Sequence, residues 1–142
     1  MPVRTAEAEW KGDLPKGSGR MKTQTGSFEG AYSAGSRFEE ATGTNPEELI
    51  AAAHAGCFSM AFANQLAKAG FPPDSVKTTA RVHIEKGDAG FSITRIELQT
   101  RAKVPGVDDA TFREKAEAAK TGCPVSRALK AVDITLDARL EK

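Results

Sequence analysis

Between Thr44 and Phe71 the chain reads as one long helix, and that helix limits what the remainder can fold into. Asn45 suits the N-cap, Pro46 the first helical position, and Glu48 the reciprocal place of a capping box. Gly70 suits a left-handed C-cap, and Pro72-Pro73 forbids continuation. A helix over 45–70, about 24 residues at 1.5 Å each, is a rod of about 36 Å. No residue from Leu49 to Ala67 carries a formal charge. A helix without a polar face is expected to be buried all round, and its alanines let neighbours approach closely. His54, Ser59, Asn64 and Gln65, with the small transfer energy of alanine, argue against a membrane span. Cys57 lies in the middle of this rod.

A chain of 142 residues predicts a single domain, 1–142, with room for a real core. A formal net charge of +1 and no run of Lys or Arg supply no field for nucleic acid or an acidic membrane. The start, Met-Pro-Val-Arg-Thr-Ala-Glu, has no apolar signal core, so a cytoplasmic location is expected. There thiols stay reduced, and two cysteines do not make a structural framework. No phosphate loop is present: Gly17-Ser18-Gly19 lacks both the following helix and the Lys-Ser/Thr. No resident cofactor is expected.

Residues 1–33 predict a small antiparallel meander, with strands at 3–11, 20–25 and 28–33 and turns at 14–19 and Gly26-Ser27. Residues 34–45 read as a Gly/Ser/Thr-rich loop carrying Arg37 and Phe38. After the long helix, Ser75–Lys86 alternates cleanly, Gly87-Asp88-Ala89-Gly90 turns, and Phe91–Lys103 returns as a strand. The apolar phase slips between Ile93 and Ile96, which predicts a bulge. Asp108 caps a second helix to Thr121, with Phe112, Ala116 and Ala119 on its apolar face. Pro124 places Cys123 at the cap of a short helix, and Val132–Leu140 is a last strand. The order predicts an α+β domain of antiparallel sheet packed on helices.

Either cysteine alone could be a buried space-filler. As a pair in a reducing compartment, they have the form of an attacking and a resolving thiol. Local electrostatics names Cys123 as the more ionised, because it sits at a helix start, whereas Cys57 is desolvated unless a cation reaches it. Arg37 is the best candidate for that cation, against the plainer reading of a solvated loop arginine, and Glu47 is the carboxylate free to orient it. Glu47 and Cys57 lie ten residues apart, about 15 Å along one helix. They cannot meet within one straight rod, so the sequence points to a two-fold homodimer with antiparallel rods. A zinc site built on His54 and Cys57, at i and i+3, is a competing arrangement, but the spacing of the other ligands is poor.

The stretch Gly43-Thr44-Asn45-Pro46-Glu47-Glu48-Leu49-Ile50, with Ala53-His54-Ala55-Gly56-Cys57-Phe58-Ser59-Met60, resembles the first cysteine motif of the OsmC/Ohr family (osmotically inducible protein C and organic hydroperoxide resistance protein). Ala119-Lys120-Thr121-Gly122-Cys123-Pro124-Val125-Ser126 resembles the second, and the form of the first motif is similar to the OsmC branch. The likeness extends over nearly the whole chain, including Asp88-Ala89-Gly90-Phe91 and Val104-Pro105-Gly106. It implies an intertwined homodimer, with two long central helices wrapped by antiparallel sheets. It also implies a thiol peroxidase that reduces organic hydroperoxides and, more weakly, hydrogen peroxide. In that reading Cys57 attacks, Cys123 resolves through an intramolecular disulfide, and Arg37 and Glu47 polarise thiolate and peroxide. This reverses the order that local electrostatics gives. An apolar pocket is expected near Phe38 and Phe58. The reductant implied is an external dithiol, a lipoylated protein in the Ohr relatives. The alternative is a redox-sensing or ligand-binding module on the same fold.

Overall fold

The computed structural model describes residues 1–142, which form two compact units, Met1–Leu49 and Ile50–Lys142. In the first unit the alternating N-terminal segments become β1 (Ala6–Lys11), β2 (Ser18–Thr23) and β3 (Glu29–Tyr32). They form an antiparallel sheet in the order β1-β2-β3. Gly19 pairs with both Trp10 and Tyr32. A Cβ there would fall 2.6 Å from the Tyr32 ring and 2.8 Å from the Trp10 ring. Glycine is therefore what lets the two rings pack across β2, with centroids 5.4 Å apart.

The connection expected to be a loop contains a helix, α1 (Ala34–Phe38). Its start is a capping box made by two serines: Ser36 N–H donates to Ser33 Oγ at 3.1 Å, and Ser33 N–H donates to Ser36 Oγ at 2.8 Å. Serine does here what Glu or Gln does in the usual pattern. Arg37 thus stands on a helix and not on a free loop. The Ser36 hydroxyl also donates to Thr44 O at 2.7 Å, and Asn45 Nδ2 donates to Ser36 O at 3.0 Å, which pins α1 to the approach of the next helix.

The long helix is α2 (Pro46–Lys68). Glu48 N–H donates to Asn45 Oδ1 at 2.7 Å, the expected cap. The Glu48 carboxylate differs from expectation: it accepts the Thr44 hydroxyl at 2.7 Å. The boundary between the two units falls near the start of α2. The expected all-round burial is not met in the single chain. His54, Phe58, Phe62 and Leu66, four residues apart, are buried, whereas Ala53, Gly56 and Met60 are exposed, Met60 by 76%. One stripe of the helix packs on its own chain, and the rest of it between Leu49 and Ala67 is an uncharged surface.

In the second unit β4 (Ser75–Gly87), β5 (Gly90–Lys103) and β6 (Asp133–Glu141) form a sheet in the order β4-β5-β6. The register of β4 on β5 shifts between His83 and Ile84, leaving Thr94 as the extra residue in β5, between Ile93 and Ile96 as the phase slip predicts. The sheet is not wholly antiparallel: β6 runs parallel to β5. Between them the chain passes through α3 (Asp109–Gly122) and α4 (Pro124–Ala128), a crossover long enough for a parallel return. Asp108 caps α3 through Thr111 N–H, and Phe112, Ala116 and Ala119 are its buried face, as expected.

The core of this unit packs α2 and α3 on β5, with Phe58, Phe62, Leu66, Ile96, Leu98 and Phe112 all buried. Phe62 is central, its ring 5.7 Å from Phe58 and 5.2 Å from Phe112. Truncating it to alanine would cost about 3–5 kcal/mol. A line of hydroxyls crosses this apolar layer: Ser59 Oγ donates to Thr78 Oγ1 at 2.7 Å, and Thr78 Oγ1 bonds Thr100 Oγ1 at 3.0 Å. Pairing these groups with one another removes the cost of burying them singly. No helix is long and apolar enough to cross a membrane.

Candidate active site

Cys57 is carried on α2, and Cys123 at the junction of α3 and α4. Cys123 leaves α3 with extended backbone, φ −59° and ψ 130°, and Pro124 starts α4 at once. This places Cys123 at the cap, as the sequence predicts, and Ser126 N–H donates to its sulfur at 3.4 Å. The two free thiols share a hydrogen bond with their sulfurs 3.0 Å apart. Cys123 is fully buried, whereas Cys57 is partly exposed.

The electrostatics of the pair is unequal. Burial pushes the Cys57 thiol up, and its hydrogen bond to Cys123 adds to this, against a smaller pull from Val125 N–H. Burial works to raise Cys123 too, but it is outweighed by hydrogen bonds from Cys57, the Ser126 side chain and amide, and Val125, so Cys123 is held below the usual thiol value. Within one chain, local electrostatics favours Cys123 as the thiolate. No charged side chain of the second unit compensates Cys57.

Arg37 and Glu47 are brought together in the first unit. Arg37 Nε donates to Glu47 Oε1 at 2.9 Å and Nη2 to Oε2 at 3.0 Å, a bidentate fork. Glu47 is only 6% exposed, and the guanidinium also lies 5.2 Å from the centre of the Phe38 ring. A carboxylate this buried orients a guanidinium firmly, which is the role expected of it.

One expectation needs correction. Phe58 is fully buried in the core of the second unit. The apolar surface beside the thiol is instead an open groove of about 820 Å³ that includes Cys57, Met60, Ala61, Gln65, Gly122 and Pro124. His54, named in the competing zinc arrangement, is bonded elsewhere. Its Nε2 bonds Ser126 Oγ at 2.7 Å, and no group of three ligating side chains forms anywhere in the chain. Sequence reasoning missed Ser126. Its place three residues after the cap, where the N–H turns back on the capping side chain, was the available signal.

Two thiols in contact across an α+β core, one of them opening on an apolar groove, define a dithiol redox fold. The OsmC-like protein family model matches residues 39–137. The chain is 50% identical over 139 residues to peroxiredoxin OsmC of Escherichia coli strain K12, covering 97% of this chain and 96% of that one. It is 35% identical over 96 residues to the organic hydroperoxide resistance protein of Xanthomonas axonopodis pv. citri, with 66% of each chain covered. The crystal structure of the organic hydroperoxide resistance protein OhrB of Bacillus subtilis superposes with a TM-score of 0.68 at 24% identity, over 96% of this chain and 98% of that one, a likeness of fold. The chain belongs to the OsmC-like protein family, in its OsmC-type branch.

Proposed function

We propose that this chain reduces organic hydroperoxides to alcohols, with Cys57 as the attacking thiol and Cys123 as the resolving one. That it is a thiol peroxidase follows from its family and from its near full-length similarity to a peroxiredoxin. The route is the proposal, and the contact between the two sulfurs carries it. The Cys57 thiolate attacks the terminal oxygen of the hydroperoxide. An S–O bond forms, the O–O bond breaks, and the alkoxide takes a proton to leave as the alcohol. Cys57 is now a sulfenic acid. The Cys123 thiolate attacks its sulfur, an S–S bond forms, the S–O bond breaks, and hydroxide leaves with a proton as water. An external dithiol then restores both thiols by exchange, and no resident cofactor is needed.

Cys57 needs a cation to ionise ahead of Cys123, and the pre-oriented Arg37–Glu47 fork is suited to supply one. The fork would reach it from a second copy of the chain, in a dimer of antiparallel α2 helices whose uncharged faces meet. The groove of Cys57, Met60 and Gly122 offers apolar surface to an organic group, which favours organic hydroperoxides over hydrogen peroxide.

The test is a free-thiol count after one equivalent of cumene hydroperoxide. Both thiols should disappear in the natural chain, and Cys123→Ser should leave a dimedone-reactive sulfenic acid on Cys57. An adduct found only on Cys123, with Cys57 inert, would reverse the roles.

A further inference from the structure

His54 is fully buried, and its Nδ1 is the one buried side-chain polar atom without a hydrogen-bond partner. The ring is neutral, because burial holds it below the usual histidine range. A neutral imidazole carries one N–H, and a buried N–H with no acceptor is rarer than a bare lone pair. The proton therefore belongs on Nε2, 2.7 Å from Ser126 Oγ. Donation from Nε2–H occupies a lone pair of that oxygen and turns the hydroxyl proton away from the ring. The Ser126 amide donates to the Cys123 sulfur at 3.4 Å, and the Ser126 hydroxyl is among the groups that hold that thiol down. The titratable groups facing Cys123 are Cys57 from α2 and, one hydrogen bond further, His54.

We propose that His54 is a positioning residue for disulfide closure: through Ser126 it fixes a hydroxyl donor on Cys123 Sγ and holds that sulfur as the nucleophile for Cys57. The role rests on Cys123 being the resolving thiol. The atoms balance as in the closing step above, with the Ser126 proton staying on Ser126 throughout. Holding the thiolate this way is a net gain. Each pH unit by which its titration falls raises the thiolate fraction about tenfold, whereas nucleophilicity falls only about threefold.

The thiolate absorbance of Cys123 is titrated in a Cys57→Ser background, where it is the only cysteine. His54→Phe keeps a ring in the core and removes the donor; Ser126→Ala removes the relay. Each is expected to raise the midpoint by about one to two pH units, the worth of a hydrogen bond to an ion. His54→Gln, whose amide N–H replaces Nε2–H, is expected to restore the midpoint. An unchanged midpoint in either of the first two variants overturns the proposal, as do equal shifts in His54→Gln and His54→Phe. If His54→Phe fails to fold, Ser126→Ala and His54→Gln still separate the outcomes. The titration uses no peroxide, so it is independent of the peroxidase route. Shifted midpoints in a chain whose Cys57 is never oxidised would keep the relay and overturn its part in closure.

Discussion

Cys57 and Cys123 lie 66 residues apart in the chain, yet their sulfurs are in hydrogen-bond contact at 3.0 Å. A bond between them closes a long loop, and the loss of unfolded-chain entropy stabilises the oxidised form by up to about 4 kcal/mol. The oxidised chain is expected to melt several degrees higher than the reduced one. Melting with and without dithiothreitol checks this, and Cys123→Ser should show no difference. Non-reducing electrophoresis should show the bond within single chains. A ladder of cross-linked copies would count against it.

Glu47 is buried and held by both arms of the Arg37 fork. Arg37→Met leaves a buried carboxylate without its charged partner and is expected to cost about 1–3 kcal/mol. Adding Glu47→Gln removes the stranded charge, so the double variant should recover most of that loss. Peroxide turnover should behave differently. Without the guanidinium the titration of Cys57 should rise by about one unit or more, and the second substitution should not rescue it. Denaturant melts and the pH profile of sulfenic acid formation separate the two effects. Parallel recovery of stability and turnover would mean that the fork serves only the fold.

What was legible in the chain followed local chemistry. Asn45-Pro46, Asp108 and Cys123-Pro124 each carry a cap and a start within three residues, so α2, α3 and α4 could be placed by reading. The extra residue in β5 showed as a slip in alternation. The site was half legible: the four named residues form the two expected pairs, Arg37–Glu47 and Cys57–Cys123. The misses have a shared cause, in that the signal was either unconventional or long-range. A serine doing the work of a glutamate hid α1. The parallel pairing of β6 depends on a crossover through two helices that no local pattern records. The bond from His54 to Ser126 spans 72 residues.

Gly56 sits beside Cys57 in the middle of α2, where glycine costs about 1 kcal/mol relative to alanine. A Cβ at this position would meet nothing within 4 Å in its own chain. Judged on the single chain, Gly56→Ala should stabilise. Packing of a second α2 against this face makes the opposite forecast, because an added methyl overpacks a close approach by about 1–3 kcal/mol. With the homodimer proposed above, the expected outcome is a dimer weakened about tenfold or more. Sedimentation over a dilution series reads it. A variant that is both more stable and equally dimeric would move the interface away from Gly56.

The buried neutral ring of His54 also makes stability depend on pH, in a direction that linkage fixes. Desolvation holds its folded-state pKa below the usual histidine value of about 6.5. Below that value the unfolded chain binds a proton that the folded chain refuses. Stability therefore rises with pH up to about the unfolded histidine value and is level above it; as pH falls through that value, stability drops by at most about 1.4 kcal/mol per unit. Glu97, lowered chiefly by its bond from His83, and Asp108, lowered by Thr111, lose their contributions only in the more acidic carboxylate range. The histidine window is thus separate from theirs. Urea melts at a series of pH values should show the loss begin near the unfolded histidine value. His54→Gln, which keeps an Nε2-like donor but does not titrate, should flatten that window and leave the carboxylate range unchanged. An equal slope in His54→Gln would show that the histidine-range loss does not come from His54.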